Sequence, residues 1–248
     1  MSIYIAMHKS CDFPKCDGYT PIQVGAAINP RLDVMQDDSC DDNISSKNPY
    51  FCELTALYHI WKNTNDPIVG LVHYRRFFFK NKLSTSKDNI VSYKEFFGLL
   101  NDNIIVLPQK HYFRTSNYEQ YNKLHYIKDM DLCGEVIKEL TPDYYSSYSE
   151  IMNRKYIYPY NMFVMTRKNF DEYMEWMFLI LFELEKRIDI SEYDAYNKRI
   201  WGFISERLLN IWVLHKKLRI VSYPVYNNEE NSVKHFKDEV ENTIKKFI

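Results

Sequence analysis

The sequence predicts an α/β domain built on a mostly parallel sheet, and three observations carry that reading. Strand-length apolar runs alternate with runs of helical period along the whole chain, which is the pattern of strands joined by helical crossovers. The 248 residues are 46% hydrophobic and 26% charged, enough to bury one substantial core. No repeat or low-complexity linker divides them. Residues 1–248 therefore read as one domain with a C-terminal helix over about 230–247.

Each element follows from local pattern. "SIYIAMH" (2–8) is an opening strand, and a polar loop with Pro14, Gly18 and Pro21 follows it. The acidic stretch "QDDSCDDNISS" (36–46) ends in Asn43 and Ser45, both helix-capping types, before the amphipathic run "PYFCELTALYHIWKN" (49–63). "PIVGLVHYRRF" (67–77) and "NIIVLP" (103–108) are strands, with the helical "SYKEFFGLLND" (92–102) between them. Residues 115–153 are helical and tyrosine-rich, and "KYIYPYNMFVMT" (155–166) returns as a strand. Phe170, Met174, Met177, Leu181, Leu184 and Ile188 recur at helical spacing over 167–188. A further helix covers about 197–214, and "LRIVSYPV" (218–225) is a last strand. In the tail, Val233, Phe236, Val240, Ile244 and Phe247 share a helical face, and acidic residues dilute its lysines. Docking on the domain is therefore expected rather than a membrane-surface role.

Composition excludes several classes. Thirty-two basic residues balance 33 acidic ones, so no nucleic-acid partner is expected. Only six glycines occur, and no dinucleotide fingerprint, phosphate loop or GxSxG elbow is present. "MSIYIAM" (1–7) lacks the basic start and long apolar stretch of a signal peptide, and "WMFLILF" (176–182) is far too short to span a bilayer. Five scattered cysteines fit a reducing compartment, so the expected location is cytoplasmic. "HKSCDFPKC" (8–16) matches no zinc spacing and reads as a surface loop.

Three constellations could carry chemistry. "HYRR" (73–76) stands where a strand should end, the place where α/β sheets gather ligands. Alternation along a strand puts His73 and Arg75 on one face, Tyr74 and Arg76 on the other. Two arginine forks suit a diphosphate; the bland alternative is that one arginine pairs with a buried carboxylate. Asp37, Asp38, Asp41 and Asp42 are either oxygen ligands for Mg2+ or Mn2+ or a solvated loop. Asn43 and Ser45 beside them stand at a helix N-terminus suited to an anion or a sugar hydroxyl. In "WGFISERLLNIW" (201–212), Glu206 follows Gly202 by one turn. It is either a general base facing a cleft or the partner of Arg207 or Arg199 in a surface ion pair.

"PIQVGAAI" (21–28), "DNISSKNPYFCELTALYHIWKN" (42–63), "GLVHYRRFF" (70–78), "YNMFVM" (160–165) and "GFISERLLNIW" (202–212) together resemble a family of bacterial glycosyltransferases from capsule and O-antigen gene clusters, long catalogued as a domain of unknown function. The resemblance implies a GT-A-like nucleotide-sugar transferase fold with a helical insertion. It implies transfer of a hexose, galactofuranose or galactose, from a UDP-sugar to a growing, in some cases lipid-linked, glycan. "HYRR" then occupies the place of the usual Asp-x-Asp metal motif, so a divalent metal is an open requirement and no metal ligand is assigned. The implied mechanism is inverting: Glu206 deprotonates the acceptor, and UDP departs toward His73, Arg75 and Arg76. Asn161 binds sugar hydroxyls or is a buried hydrogen-bonding residue. Contact with the inner membrane face or with polysaccharide-assembly proteins is a further implication. The alternative is a non-catalytic carbohydrate- or nucleotide-binding module.

Overall fold

The computed structural model describes residues 2–11, 16–81, 86–229 and 232–247, so Pro14 lies outside the described residues. The chain opens with β1 (Ser2–Met7), β2 (Tyr19–Gln23) and β3 (Met35–Gln36). Pro21 thus sits inside a strand where the sequence suggests a loop. The strand tolerates it because β3 pairs only with Ile22 and Gln23, leaving Pro21 on an effectively open edge.

The helix expected over 49–63 is broken into α1 (Asn48–Phe51) and α2 (Leu54–Asn63). The break is at Cys52, whose φ of 52° and ψ of −130° are incompatible with a helix. Then come β4 (Ile68–His73) and β5 (Arg76–Phe78). Tyr74 and Arg75 form a tight reversal between them, and His73 pairs directly with Arg76. The continuous strand expected through "HYRR" is therefore a hairpin. Directly opposed residues share a face, so His73 goes with Arg76 and not with Arg75.

Beyond β5, α3 (Tyr93–Leu99) starts at a capping box between Ser92 and Glu95, and β6 (Ile104–Pro108) follows. A minor two-stranded sheet, β7 (His111–Tyr112) with β8 (Tyr156–Ile157), encloses α4 (Asn117–Leu124), α5 (Ile127–Leu140) and α6 (Tyr145–Asn153). The last elements are β9 (Phe163–Thr166), α7 (Arg167–Arg187), α8 (Ile200–His215), β10 (Arg219–Tyr223), β11 (Val225–Asn227) and α9 (Ser232–Lys245).

The central sheet runs β10-β6-β9-β4-β1-β2-β3. Its pairings are parallel except at β9, which lies antiparallel between β4 and β6. Strand alternation separates two apolar layers. Ile3, Ile5 and Met7 face the layer holding Val72, Phe77, Phe78 and Phe96. Tyr4 and Ala6 face a larger layer built on α2, α5, α7 and α8, where Trp201 and Trp212 are almost fully buried.

The C-terminal helix docks as expected, but through its polar side. Asn242 accepts from the Tyr112 amide and donates to the Lys110 carbonyl, both at 2.8 Å. Val240, Ile244 and Phe247 are 42%, 52% and 79% exposed; the side chains of Val233 and Phe236 lie outside the described ones. No described helix is long and apolar enough to cross a membrane.

Candidate active site

A cavity of about 880 Å3 opens at the carboxyl ends of β1 and β4 and is walled by the N-terminal half of α8. Its size suits a ligand as large as a nucleotide-sugar. Five permanent cations line it (Lys9, Arg75, Arg76, Arg199, Arg207) against two carboxylates, Glu53 and Glu206. In a chain of net charge −1, this local excess concentrates positive potential where an anion would enter. A second cavity of about 300 Å3, partly under α9, shares Arg76 and Tyr160 with the first.

The cationic end grows from the β4–β5 turn. Arg76 lies 4.5 Å over the Tyr160 ring. His73 donates from Nε2 to the Tyr160 carbonyl at 2.6 Å. Burial holds His73 below its ordinary value, opposed by the Glu53 carboxylate and the hydrogen bond and reinforced by Arg76 and Arg75. The neutral imidazole carrying its proton on Nε2 is therefore the form at pH 7. Arg75 is more exposed and pairs with Glu229 at 3.1 Å, and Lys9 reaches the same carboxylate at 3.4 Å. Glu229 thus holds two cavity cations where an incoming phosphate would compete. Glu229→Gln is expected to tighten UDP about two- to five-fold, the scale of an exposed ion pair; an unchanged or weaker titration would refute the competition.

Of the other expected site residues, Asn161 and Glu206 line this cavity, whereas Asn43 and Ser45 do not. Ser45 is fully buried; its Oγ donates to Asp37 at 2.5 Å and accepts from the Ala27 amide. Asn43 folds back on the Cys40 carbonyl and accepts from the Ser45 amide. Ser45 ties the "DNIS" segment to the loop after β2, and Asn43 closes the turn before it. Asp37 completes that tie, accepting from the Gly25 and Ala26 amides at 2.7 and 3.0 Å. Gly25 has φ +68°, and a Cβ there would meet Asn48 at 2.6 Å. Asn48 in turn donates to the Cys52 carbonyl at 2.7 Å, so the motif's role is to brace the strained residue beside Glu53.

Glu206 satisfies the ion-pair alternative while still facing the cavity. Its Oε2 accepts from Arg207 at 2.8 Å and its Oε1 from the Tyr160 amide at 2.6 Å. The Arg207 side chain is 3% exposed, so the pair is a buried one rather than the surface pair expected. Arg199 takes no part in it and donates to Cys52 Sγ at 3.3 Å. Asn161 is 3% exposed; its amide reaches Glu53 Oε1 at 2.7 Å, Ser205 Oγ at 2.9 Å and the Gly202 carbonyl at 3.3 Å.

Glu53, Lys9, Tyr160, His125 and Tyr196 are among the lining residues that sequence reasoning missed, and Arg199 entered it only as a possible partner of Glu206. Among the described residues four non-glycine residues have left-handed backbones, and three of them, Cys52, Tyr160 and Asn161, line this cavity. Such conformations persist where surrounding contacts enforce them, and they cluster at functional sites. At the cavity's other end, His125 stacks on Phe203 at 4.1 Å and on Tyr196 at 5.6 Å.

Three of the four acidic-loop aspartates have side chains engaged elsewhere. Asp37 is buried, Asp38 forms a two-point pair with Arg31, and Asp42 accepts from Tyr58. Among the described residues no three side chains of metal-ligating type converge, so no step is derived through a metal.

The site is thus a cationic cavity at the strand ends of a mostly parallel α/β sheet. The structure titled "WbbM bifunctional glycosytransferase apo structure" superposes with TM-score 0.80 and 31% identity over 92% of this chain. Residues 2–217 match the family described as "Domain of unknown function (DUF4422)", and the chain belongs to that family. It spans 45% of the WbbM chain, somewhat under half. The curated proteins contain no match.

Proposed function

We propose that the protein is a glycosyltransferase that moves a hexose, galactofuranose or galactose, from a UDP-sugar to a growing capsule, O-antigen or exopolysaccharide glycan. The observation that carries this reading is the convergence of His73, Arg76 and Arg75 with two carboxylates on one cavity of nucleotide-sugar size. The likeness to a structure titled as a bifunctional glycosyltransferase supports it.

In the proposed displacement the acceptor oxygen attacks the anomeric carbon and the bond to the β-phosphate oxygen breaks. The electron pair leaves with UDP, and configuration inverts. Arg75 and Arg76 neutralise the charge developing on the diphosphate, the task electrostatic preorganisation performs in such reactions. His73, neutral, fixes the Tyr160 peptide from one side. The acceptor proton passes to a cavity carboxylate, Glu206 or Glu53. The stacked Tyr196, His125 and Phe203 offer aromatic faces for the acceptor sugars.

The test is UDP release from UDP-galactose and UDP-galactofuranose, with and without a galactoside acceptor and with excess chelator. Acceptor-dependent release that survives chelation is expected, because guanidinium groups stand in for the usual metal. UDP binding without any turnover would instead favour a non-catalytic binding module. Release lost to chelator and restored by Mn2+ would refute the arginine assignment.

A further inference from the structure

We propose that Glu53 is the carboxylate that receives the acceptor proton and that Glu206 is a positioning residue acting through Tyr160. This rests on the glycosyl-transfer reading and decides between its two carboxylates.

The first ground is what each carboxylate already holds. Both oxygens of Glu206 are engaged, one by the Tyr160 amide and one by Arg207. Among the described residues Arg207 has no other anion: its remaining hydrogen bonds go to the Gln120 side-chain carbonyl and the Phe203 carbonyl, and its guanidinium lies 5.2 Å over the Tyr121 ring. A proton added to Glu206 would leave a guanidinium buried without a counter-charge, which is strongly unfavourable. Glu53, among the described residues, forms no hydrogen-bonded ion pair. Its Oε1 accepts from the uncharged Asn161 amide, and among the described residues its Oε2 accepts no hydrogen bond.

The second ground is where the backbone strain lies. Cys52, left-handed, ends α1 and aims the next residue, Glu53, at the cavity wall. Asn161, also left-handed, supplies the amide that holds Glu53. Tyr160 beside it is gripped from both sides, its amide by Glu206 and its carbonyl by His73. Two of the three strained residues, Cys52 and Asn161, thus act directly on Glu53, and Tyr160 precedes Asn161 in sequence. Glu206 enters that chain only as the clamp on the Tyr160 peptide.

The third ground is electrostatic position. Glu53 is close enough to His73 and Arg199 to act on both. Glu53, His73 and Arg199 line one cavity, the one in which a sugar whose diphosphate lies on Arg75 and Arg76 would meet its nucleophile. In the step, the acceptor O–H bond breaks, its electrons form the new glycosidic bond, and the proton ends on Glu53 Oε2.

The experiment compares Glu53→Gln, Glu53→Ala and Glu206→Gln in the full chain, using UDP-galactose and UDP-galactofuranose with octyl galactoside as acceptor. Glu53→Gln should lower kcat about 10²- to 10⁴-fold, with UDP affinity within about two-fold of wild type, and should remove the acidic limb of the kcat/KM profile. Formate should restore part of the Glu53→Ala rate, which a purely structural role would not allow. Glu206→Gln should retain the acidic limb and lose less than about 30-fold in kcat, together with a lowered Tm. An active wild type with Glu53→Gln near its rate, or with the acidic limb lost only in Glu206→Gln, overturns this assignment and leaves glycosyl transfer standing. A wild type that binds UDP and releases none from either donor removes both.

Discussion

Replacing Arg75 and Arg76 together by alanine is expected to weaken UDP about 30- to 1,000-fold while moving uridine less than about three-fold. Hydrogen bonds to charged groups contribute about 1.5–3 kcal/mol each, and the diphosphate is the only part of UDP that demands them. Arg75 is 39% exposed and already bonded to Glu229, so solvent screening reduces its share. Arg76 faces the same side as His73 and lies over Tyr160. Its single substitution should therefore account for most of the loss. Calorimetric titration with the two ligands decides the matter. Equal losses for UDP and uridine would show that the turn supports the fold of the site and does not bind phosphate.

Asp37→Ala should be the most destabilising substitution in the loops around the site, by about 3–5 kcal/mol. Its carboxylate is fully buried and accepts from two backbone amides and the Ser45 hydroxyl. Without it those donors are buried with no partner, each costing about 1–3 kcal/mol. At about 2–4 °C per kcal/mol for a chain of this size, Tm should fall by roughly 10 °C. Asp37→Asn keeps one acceptor oxygen and should lose about half as much. A fall of under about 3 °C for Asp37→Ala would mean that the loop relaxes and finds water. Because Gly25, Asn48 and Cys52 follow one another in contact, the same variant should also raise the KM for donor.

Periodicity made the frame of the fold legible: β1, β4, β6, β10 and the long helices α7 and α8 fall where apolar spacing puts them. "HYRR" and "GFISER" proved to line one cavity, because residues at strand ends and on the inner face of a helix inherit their position from the frame. What stayed hidden depends on backbone reversals at residues that do not announce them. A left-handed Cys52 in "NPYFCELTALY" reads as helix interior, since a thiol carries no turn signal and a glycine would. Glu53 then looks like an ordinary acidic residue near a helix start. At Tyr160 and Asn161, where two successive residues have positive φ, Pro159 and Asn161 do carry a turn signal, but the apolar run "NMFVM" outweighs it and "YPYNMF" passes for continuous strand. The face shared by His73 and Arg76 was misjudged because the reversal at Tyr74–Arg75 contains neither glycine nor proline.

The placement of β9 governs how the chain can assemble. It lies between β4 and β6, so strands formed early are joined across the middle of the sheet by a segment that comes some ninety residues later. Contacts of such long sequence separation slow the search for the native topology, because loop closure precedes any gain from pairing. During synthesis at about 5–20 residues per second, β1, β2 and β4 would wait several seconds for their neighbour, with one flank of β4 unpaired. The N-terminal third is therefore not an autonomous folding unit. The cavity it half forms acquires its opposite wall when α8 arrives, so ligand binding and completion of the fold are coupled events.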